Sequence, residues 1–190
     1  MSDPPALSVT AAILLCAGGS SRFTGDQPKL LAPFRGKSLV SWALEHVTAS
    51  GLEETLVVVG PVDLSGLLPD GVVVVDNPKW ADGQASSLQA GIAAAESRGH
   101  DVVVIGLGDQ PLVPSAAWAA VAGTDSPIAV ATFDGQRTPP TRLARSVWSL
   151  LPTDGDLGAR PLMEARPDLV REVPCPGEAL DIDTIEDLLR

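Results

Sequence analysis

Four short stretches hold residues whose types and spacing could do chemistry. The first is Ala17-Gly18-Gly19-Ser20-Ser21-Arg22, with Lys29 following shortly after. Small residues let backbone N–H groups approach an anion closely, and Arg22 and Lys29 supply the positive charge a triphosphate needs. Taken alone, the same stretch also reads as a tight turn with surface cations. The second is Gly108-Asp109-Gln110-Pro111, directly after an apolar run. A carboxylate there can hold a hard divalent cation that also contacts phosphate oxygens, or it can cap a turn. The third is Asp181-Ile182-Asp183. Magnesium usually takes one or two protein carboxylates, so Asp109 with Asp183 would suffice, leaving Asp181 to the fold. The fourth, Asp82-Gly83-Gln84-Ala85-Ser86-Ser87-Leu88, opens a helical pattern. Its hydroxyls could meet a base edge or a phosphate, or simply cap the helix.

Two apparent motifs fail on spacing. Gly36-Lys37-Ser38 resembles the end of a P-loop, but Leu31 stands where the earlier glycine is required. Gly106-Leu107-Gly108 runs into Pro111 where a dinucleotide fingerprint needs its third glycine. His46 and His100 have no triad or metal-binding partner in the sequence and read as surface or structural residues.

The elements that must position these stretches follow from apolar periodicity. Thr10–Cys16, 56–60, 72–76 and Val102–Leu107 are unbroken apolar runs, as expected of strands covered on both faces of a parallel sheet. Between them Leu39, Val40, Ala43, Leu44 and Val47, then Leu88, Ile92 and Ala95, recur at helical spacing. This is the β-α-β rhythm of an open doubly wound sheet, in which ligands bind at the carboxyl ends of strands, where the candidate stretches lie. Past Pro111 the pattern predicts a helix near 115–121, a strand at 128–132, helices near 142–151 and 159–165, and a strand around 169–173. Thr184 and Asp187 have capping-box spacing for a last helix over 185–190.

At 190 residues with no internal repeat or long linker, a single domain over 1–190 is expected. The net charge of −11 argues against a nucleic-acid partner. Aromatics at 4% leave little for a base-stacking platform and put the core on Val, Leu, Ile and Ala. The two cysteines, Cys16 and Cys175, form no disulfide framework and suit a reducing cytoplasm. The apolar run 11–17 is far short of the roughly 18 residues a membrane span needs, and it reads as a buried strand, with no leader or anchor expected.

Leu15-Cys16-Ala17-Gly18-Gly19-Ser20-Ser21-Arg22, Lys29-Leu30-Leu31, Asn77-Pro78-Lys79-Trp80, Gly83 through Ser86-Ser87-Leu88, Gly108-Asp109-Gln110-Pro111, Gly155-Asp156-Leu157-Gly158-Ala159-Arg160 and Asp181-Ile182-Asp183-Thr184 occur in that order. Together they resemble the MobA-like nucleotidyltransferases, most closely the molybdenum cofactor cytidylyltransferase branch, over residues 11–189. The resemblance implies an α/β, Rossmann-like open sheet, mostly parallel with helices on both faces, of the nucleotide-diphospho-sugar transferase type. It implies a magnesium-dependent reaction in which an acceptor phosphate attacks the α-phosphorus of a nucleoside triphosphate and releases pyrophosphate. In the cytidylyl branch the donor is CTP and the acceptor is the molybdopterin cofactor, whose product serves a molybdoenzyme.

Carried over by position, Leu15, Ala17, Gly18, Gly19, Ser20, Arg22, Lys29, Ser86 and Ser87 would bind nucleotide. Arg22, Lys29 and Asp109 would be catalytic, and Asp109 and Asp183 would hold Mg2+. Guanylyl members carry Gly where this chain has Ala17, whose methyl should narrow the pocket toward a pyrimidine, and Ser86-Ser87 agree with the cytidylyl branch. The chain departs from the pattern at Cys16, at Phe23-Thr24-Gly25, at Ala85 and above all at 135–140, where a Gly-His-Pro is usual and no histidine stands. Arg137, Arg142 and Arg160 are left to meet an anionic acceptor. Alternatives are guanylyl or cytidylyl transfer to another phosphorylated small molecule, or a non-catalytic chaperone binding a nucleotide-bearing cofactor.

Overall fold

The computed structural model describes residues 9–18, 23–24 and 27–189. Gly19, Ser20 and Arg22 of the glycine-rich turn lie outside the described residues.

The strand β1 (Thr10–Cys16), buried from Ala11 onward, sits inside the sheet, flanked in parallel by β4 (Glu54–Val59) and β6 (Val102–Leu107). Its alternating side chains feed two separate cores, as the two faces of a covered strand must. Ala12, Leu14 and Cys16 pack with Val40 and Leu44 of α1 (Leu39–Thr48) and Trp118 of α3 (Ser115–Ala122). Ile13 and Leu15 pack instead with Leu88 and Ile92 of α2 (Gln84–Ser97), with Trp148, and with Leu162 of α4 (Arg160–Ala165). Helices on both faces of an open sheet are therefore present, as the apolar rhythm predicts.

The seven-stranded sheet has the order β5-β4-β1-β6-β8-β7-β9. Strand β5 (Val73–Asp76) is an edge strand, and Val74 is 48% exposed, so this run is not covered on both faces. Two-residue strands β2 (Pro33–Phe34) and β3 (Lys37–Ser38) form a separate small hairpin. Beyond β6 the sheet reverses. Strand β8 (Gln136–Ala144) runs antiparallel to both β6 and β7 (Ile128–Phe133), and β9 (Val170–Pro174) pairs parallel with β7.

This reversal corrects the expected helix over 142–151. Leu143 and Arg142 belong to β8, tied into ladders on both sides, and only Arg145–Leu150 coils, as a 3-10 helix. Tertiary pairing overrides the local helical pattern. The terminal segment is likewise a 3-10 turn, Glu186–Leu189, opened by half of the expected box: Asp187 accepts from the Thr184 backbone N–H at 3.0 Å and from its hydroxyl at 3.0 Å. No described helix is long and apolar enough to cross a membrane.

Candidate active site

The registers align the carboxyl ends of the central strands, Cys16 opposite Val59 and Leu15 opposite Leu107, so the loops leaving β1, β4 and β6 open at one edge. Gly108 then closes onto β1 by donating its N–H to the Leu15 carbonyl at 3.0 Å, which carries Asp109 to the mouth of the first loop. Lys29 reaches the same point from the 3-10 turn Lys29–Leu31.

The third element is the C-terminal segment. Leu180 and Ile182 are buried in a cluster with Phe34 and Leu39, and the Ile182 N–H donates to the Asp109 carbonyl at 3.3 Å. Alternation along an extended chain then turns Asp181 and Asp183 outward, and both line the cleft. The Lys29 Nζ lies 2.6 Å from Asp109 Oδ2 and 3.6 Å from Asp183 Oδ1. Two carboxylates separated by 74 positions in the sequence thus converge on one cation-sized position, and the lysine filling it is only 7% exposed.

The cleft consists of two adjoining cavities. The larger, about 650 Å³, is lined by Ala17, Gly18, Lys29, Ser87, Asp109 and Asp183 among others. The smaller, about 290 Å³, is walled by Leu88, Ile105 and Met163 with the polar groups of Gln110, Thr138 and Thr141. Leu15, Gln84, Leu107, Leu157, Arg160 and Asp181 border both. The sequence-predicted Leu15, Ala17, Gly18, Lys29, Ser87, Asp109 and Asp183 therefore share one cavity.

Ala17 lies there differently from expectation. It is 1% exposed and packed against Gly60, where an added Cβ would come within 2.7 Å of the Ala17 carbonyl oxygen and 3.1 Å of its methyl. The methyl supports the backbone of the loop; it does not project into the cleft.

Ser86 and Ser87 also separate. Asn77, 5% exposed, donates its amide to Ser86 Oγ at 2.9 Å and to Ser87 Oγ at 3.0 Å. Ser86 is close to the Lys79 and Gly83 carbonyls at 2.8 and 2.9 Å, so its hydroxyl is committed to the loop before α2, and it does not line either cavity. Ser87 does line the larger one, and because its oxygen already accepts from Asn77, its own proton can be directed at a ligand.

Gly83 allows a further wall. Its φ of 103° is open to glycine, and an added Cβ would meet Asp156 Oδ1 at 2.6 Å. The Ala85 N–H donates to the Gly155 carbonyl at 2.9 Å, which straps the segment before α4 across the start of α2 and brings Asp156 and Arg160 to the cleft.

Of the arginines suggested for an acceptor, Arg160 and Arg137 border the smaller cavity. Arg137 is bound to Glu172 at 2.7 Å. Arg142 faces away: it is 7% exposed, donates to the Ser126 carbonyl, and burial lowers its pKa. It is a structural group. Cys16 lines the larger cavity, and burial, with Asp109 beside it, pushes its thiol pKa up, so it stays protonated. His100 is structural, its Nε2 2.8 Å from Glu54 Oε2 at the strand edge that opens β4.

Sequence reasoning passed over Asn77 and Gln110 as individual groups. The signal for each was adjacency: Asn77 follows the β5 strand, and Gln110, 4% exposed and bonded to Thr138 Oγ1 at 3.1 Å, follows Asp109.

A family model described as the MobA-like NTP transferase domain matches residues 12–170. The chain belongs to the MobA-like NTP transferase family. It is 30% identical to nicotine blue oxidoreductase of Paenarthrobacter nicotinovorans across 97% of both chains, and 33% identical to the purine catabolism protein PucB of Bacillus subtilis (strain 168) across 92% of both. Among solved structures, this MobA-like domain superposes on Rv0371c from Mycobacterium tuberculosis H37Rv with a TM-score of 0.79 at 26% identity, covering 95% of each chain. A nucleotidyl transferase from Methanothermobacter gives 0.80 at 24% identity, covering 95% and 94%, a likeness of fold. The MobA-like fold is thus the Rossmann-like α/β nucleotidyltransferase architecture that the sequence predicts.

Proposed function

We propose that this MobA-like transferase moves CMP from CTP to the terminal phosphate of the molybdopterin molybdenum cofactor, releasing pyrophosphate. The observation that carries the reading is the convergence of Lys29, Asp109 and Asp183 on one cation position in the larger cavity, which shares Arg160 and Asp181 with the smaller one. The larger cavity would take the nucleotide and the smaller one the acceptor, with Arg160 on their common border holding phosphate.

The donor set fits a hard divalent ion. Asp109 and Asp183 offer carboxylate oxygens at a position that already holds positive charge, and no group of three or more acidic, His or Cys ligands occurs among the described residues, in keeping with magnesium that takes its other ligands from water and phosphate. A solved structural neighbour, Rv0371c, is described in complex with manganese, which supports a divalent ion here. When bound, the ion would neutralise charge on the triphosphate oxygens.

The remaining chemistry falls to the chain. An acceptor phosphate oxygen forms a bond to the α-phosphorus as the bond from that phosphorus to the oxygen bridging to the β-phosphate breaks, and the electron pair leaves on pyrophosphate. The acceptor is already ionised, so no protein general base is needed. Lys29 and Arg22 would stabilise the leaving charge, and the glycine loop with Gly18, Gly19 and Ser20 would cradle the phosphates. Ser87, oriented by Asn77, would donate to the pyrimidine.

A second reading, transfer to a different phosphorylated small molecule, is favoured by the acceptor side. No histidine stands at 135–140, Arg137 is engaged by Glu172, and the relatives are named for nicotine blue and purine catabolism. One panel decides: CTP or GTP, magnesium, and molybdopterin cofactor or other phosphorylated acceptors, read as pyrophosphate release and product mass. CTP with the molybdopterin acceptor is expected to turn over. Turnover with another acceptor selects the second reading, and binding of the cofactor without pyrophosphate release from any pair makes the chain a carrier.

A further inference from the structure

The cation position between Asp109 and Asp183 is filled by the chain itself. Lys29 is one of the most buried charged residues in the protein, 7% exposed, and its ammonium lies 2.6 Å from one carboxylate and 3.6 Å from the other. An ammonium group this close to Asp109 and a divalent ion bound to the same oxygens would repel each other at contact distance. Its backbone is anchored, because Lys29 begins a 3-10 turn whose next residue, Leu30, is 4% exposed in the core. The side chain borders the cleft that Asp109 also lines, so the ammonium has open space beside it to move into.

We infer that Lys29 is a gate on metal entry: it occupies the metal seat while the nucleotide site is empty and gives it up when a triphosphate offers its ammonium a replacement anion. Binding is therefore ordered. The divalent ion enters with or after the triphosphate, and the free protein has little affinity for it. The lysine exchanges two carboxylates for phosphate oxygens, and the carboxylates exchange an ammonium for a divalent ion, so neither the buried lysine nor the aspartates are left without an opposite charge. The inference rests on the proposed reading that Asp109 and Asp183 hold the metal.

The test measures Mn2+ binding by water-proton relaxation enhancement, which reports the ion on the macromolecule. The proteins are wild type, Lys29→Met, Lys29→Arg and the double variant Lys29→Met/Asp109→Asn, each without nucleotide and each with inorganic triphosphate. Wild type is expected to bind Mn2+ weakly alone and at least tenfold more tightly once triphosphate is added. Lys29→Met, which keeps the length of the buried stem, is expected to bind Mn2+ at least tenfold more tightly than wild type without triphosphate. Lys29→Arg should stay weak, and the double variant should fall back to weak binding.

Tight binding of Mn2+ by nucleotide-free wild type overturns the gate whatever the variants do, so a variant that does not fold leaves the test intact. Weak wild-type binding with no gain in folded Lys29→Met also overturns the gate. If triphosphate still tightens Mn2+ binding in wild type and that gain is lost in the double variant Lys29→Met/Asp109→Asn, the metal reading survives the loss of the gate. If Lys29→Met gains affinity that the double variant retains, the ion is elsewhere, and the metal reading fails with the gate.

Discussion

Replacing Asp109 with Asn separates the catalytic claim from the structural one, because the two have different magnitudes. At 2.6 Å, and with an effective dielectric of about 20, the attraction between Lys29 and Asp109 is about 6 kcal/mol before desolvation is counted. Most of that is offset by removing both groups from water, since the side chains are 9% and 23% exposed, so losing the pair costs about 1–3 kcal/mol. Asn retains an oxygen that can accept from Lys29, and Asp183 remains 3.6 Å away, which puts the cost at about 1–2 kcal/mol. For a chain of 190 residues that lowers the melting temperature by about 2–8 °C. With a total stability of about 5–15 kcal/mol the variant stays folded at 25 °C. Turnover should nevertheless fall by about 100- to 1,000-fold, or about 3–4 kcal/mol of transition-state stabilisation, because on the proposed reading Asp109 is one of two carboxylates that hold the metal. Pyrophosphate release under saturating magnesium and CTP measures the second quantity, and circular dichroism melts measure the first. A folded variant that keeps more than about a third of wild-type turnover refutes the role of Asp109 in holding the metal.

Ser87→Ala should raise the KM for CTP by about three- to tenfold with kcat nearly unchanged, while Ser86→Ala should leave KM in place and cost about 1 kcal/mol of stability through the loop its hydroxyl ties; steady-state kinetics and melts on the pair check both. Gly83→Ala places a methyl 2.6 Å from Asp156 Oδ1 at a φ of 103°, so it should cost about 1–3 kcal/mol and raise KM by displacing the strap that carries Arg160. Glu54, hydrogen-bonded by Arg98 and His100, has its pKa lowered to about 2 from the usual 4.5. A depressed acid stabilises the fold above its unfolded pKa, and that contribution disappears as pH falls through the folded value. Glu54→Gln should therefore cost about 1–2 kcal/mol at pH 7, discounted because Arg98 is 42% exposed, and the gap to wild type should close between pH 4.5 and 2 in urea melts.

The parallel half of the fold was legible because buried strands such as Thr10–Cys16 and Val102–Leu107 carry unbroken apolar runs rich in Val, Ile and Leu. Asp109 was legible for the same reason, standing where such a run ends. The reversed half was not. The residues of β8 include Arg137, two prolines and Arg142, a pattern without strand periodicity, and only ladders to β6 and β7 make it a strand. Arg142 looked available because a charge in sequence looks exposed; its burial against Ser126 follows from that unseen pairing. The pair Asp181 and Asp183 was legible as a carboxylate cluster, but the burial of Leu180 and Ile182 that turns it toward Lys29 is a tertiary fact. Adjacent serines are equivalent in sequence, and only Asn77 and the loop carbonyls distinguish Ser86 from Ser87.

Strand β6 is a seam. On one side it continues the parallel block that carries Ala17 and Gly18, and on the other it meets the antiparallel β8 that supplies Thr138 and Thr141 to the smaller cavity. Asp109 leaves from the seam itself. The two cavity walls are therefore drawn in part from different pieces of chain: β8 serves the smaller cavity alone, while Leu15, Gln84, Leu107, Leu157, Arg160 and Asp181 are common to both. Substitutions within 136–144 can remodel one cavity while the registers of β1, β4 and β6 hold the other in place. On the proposed assignment of the larger cavity to the nucleotide and the smaller to the acceptor, changes confined to β8 would alter which compound receives the group while leaving the nucleotide side in place.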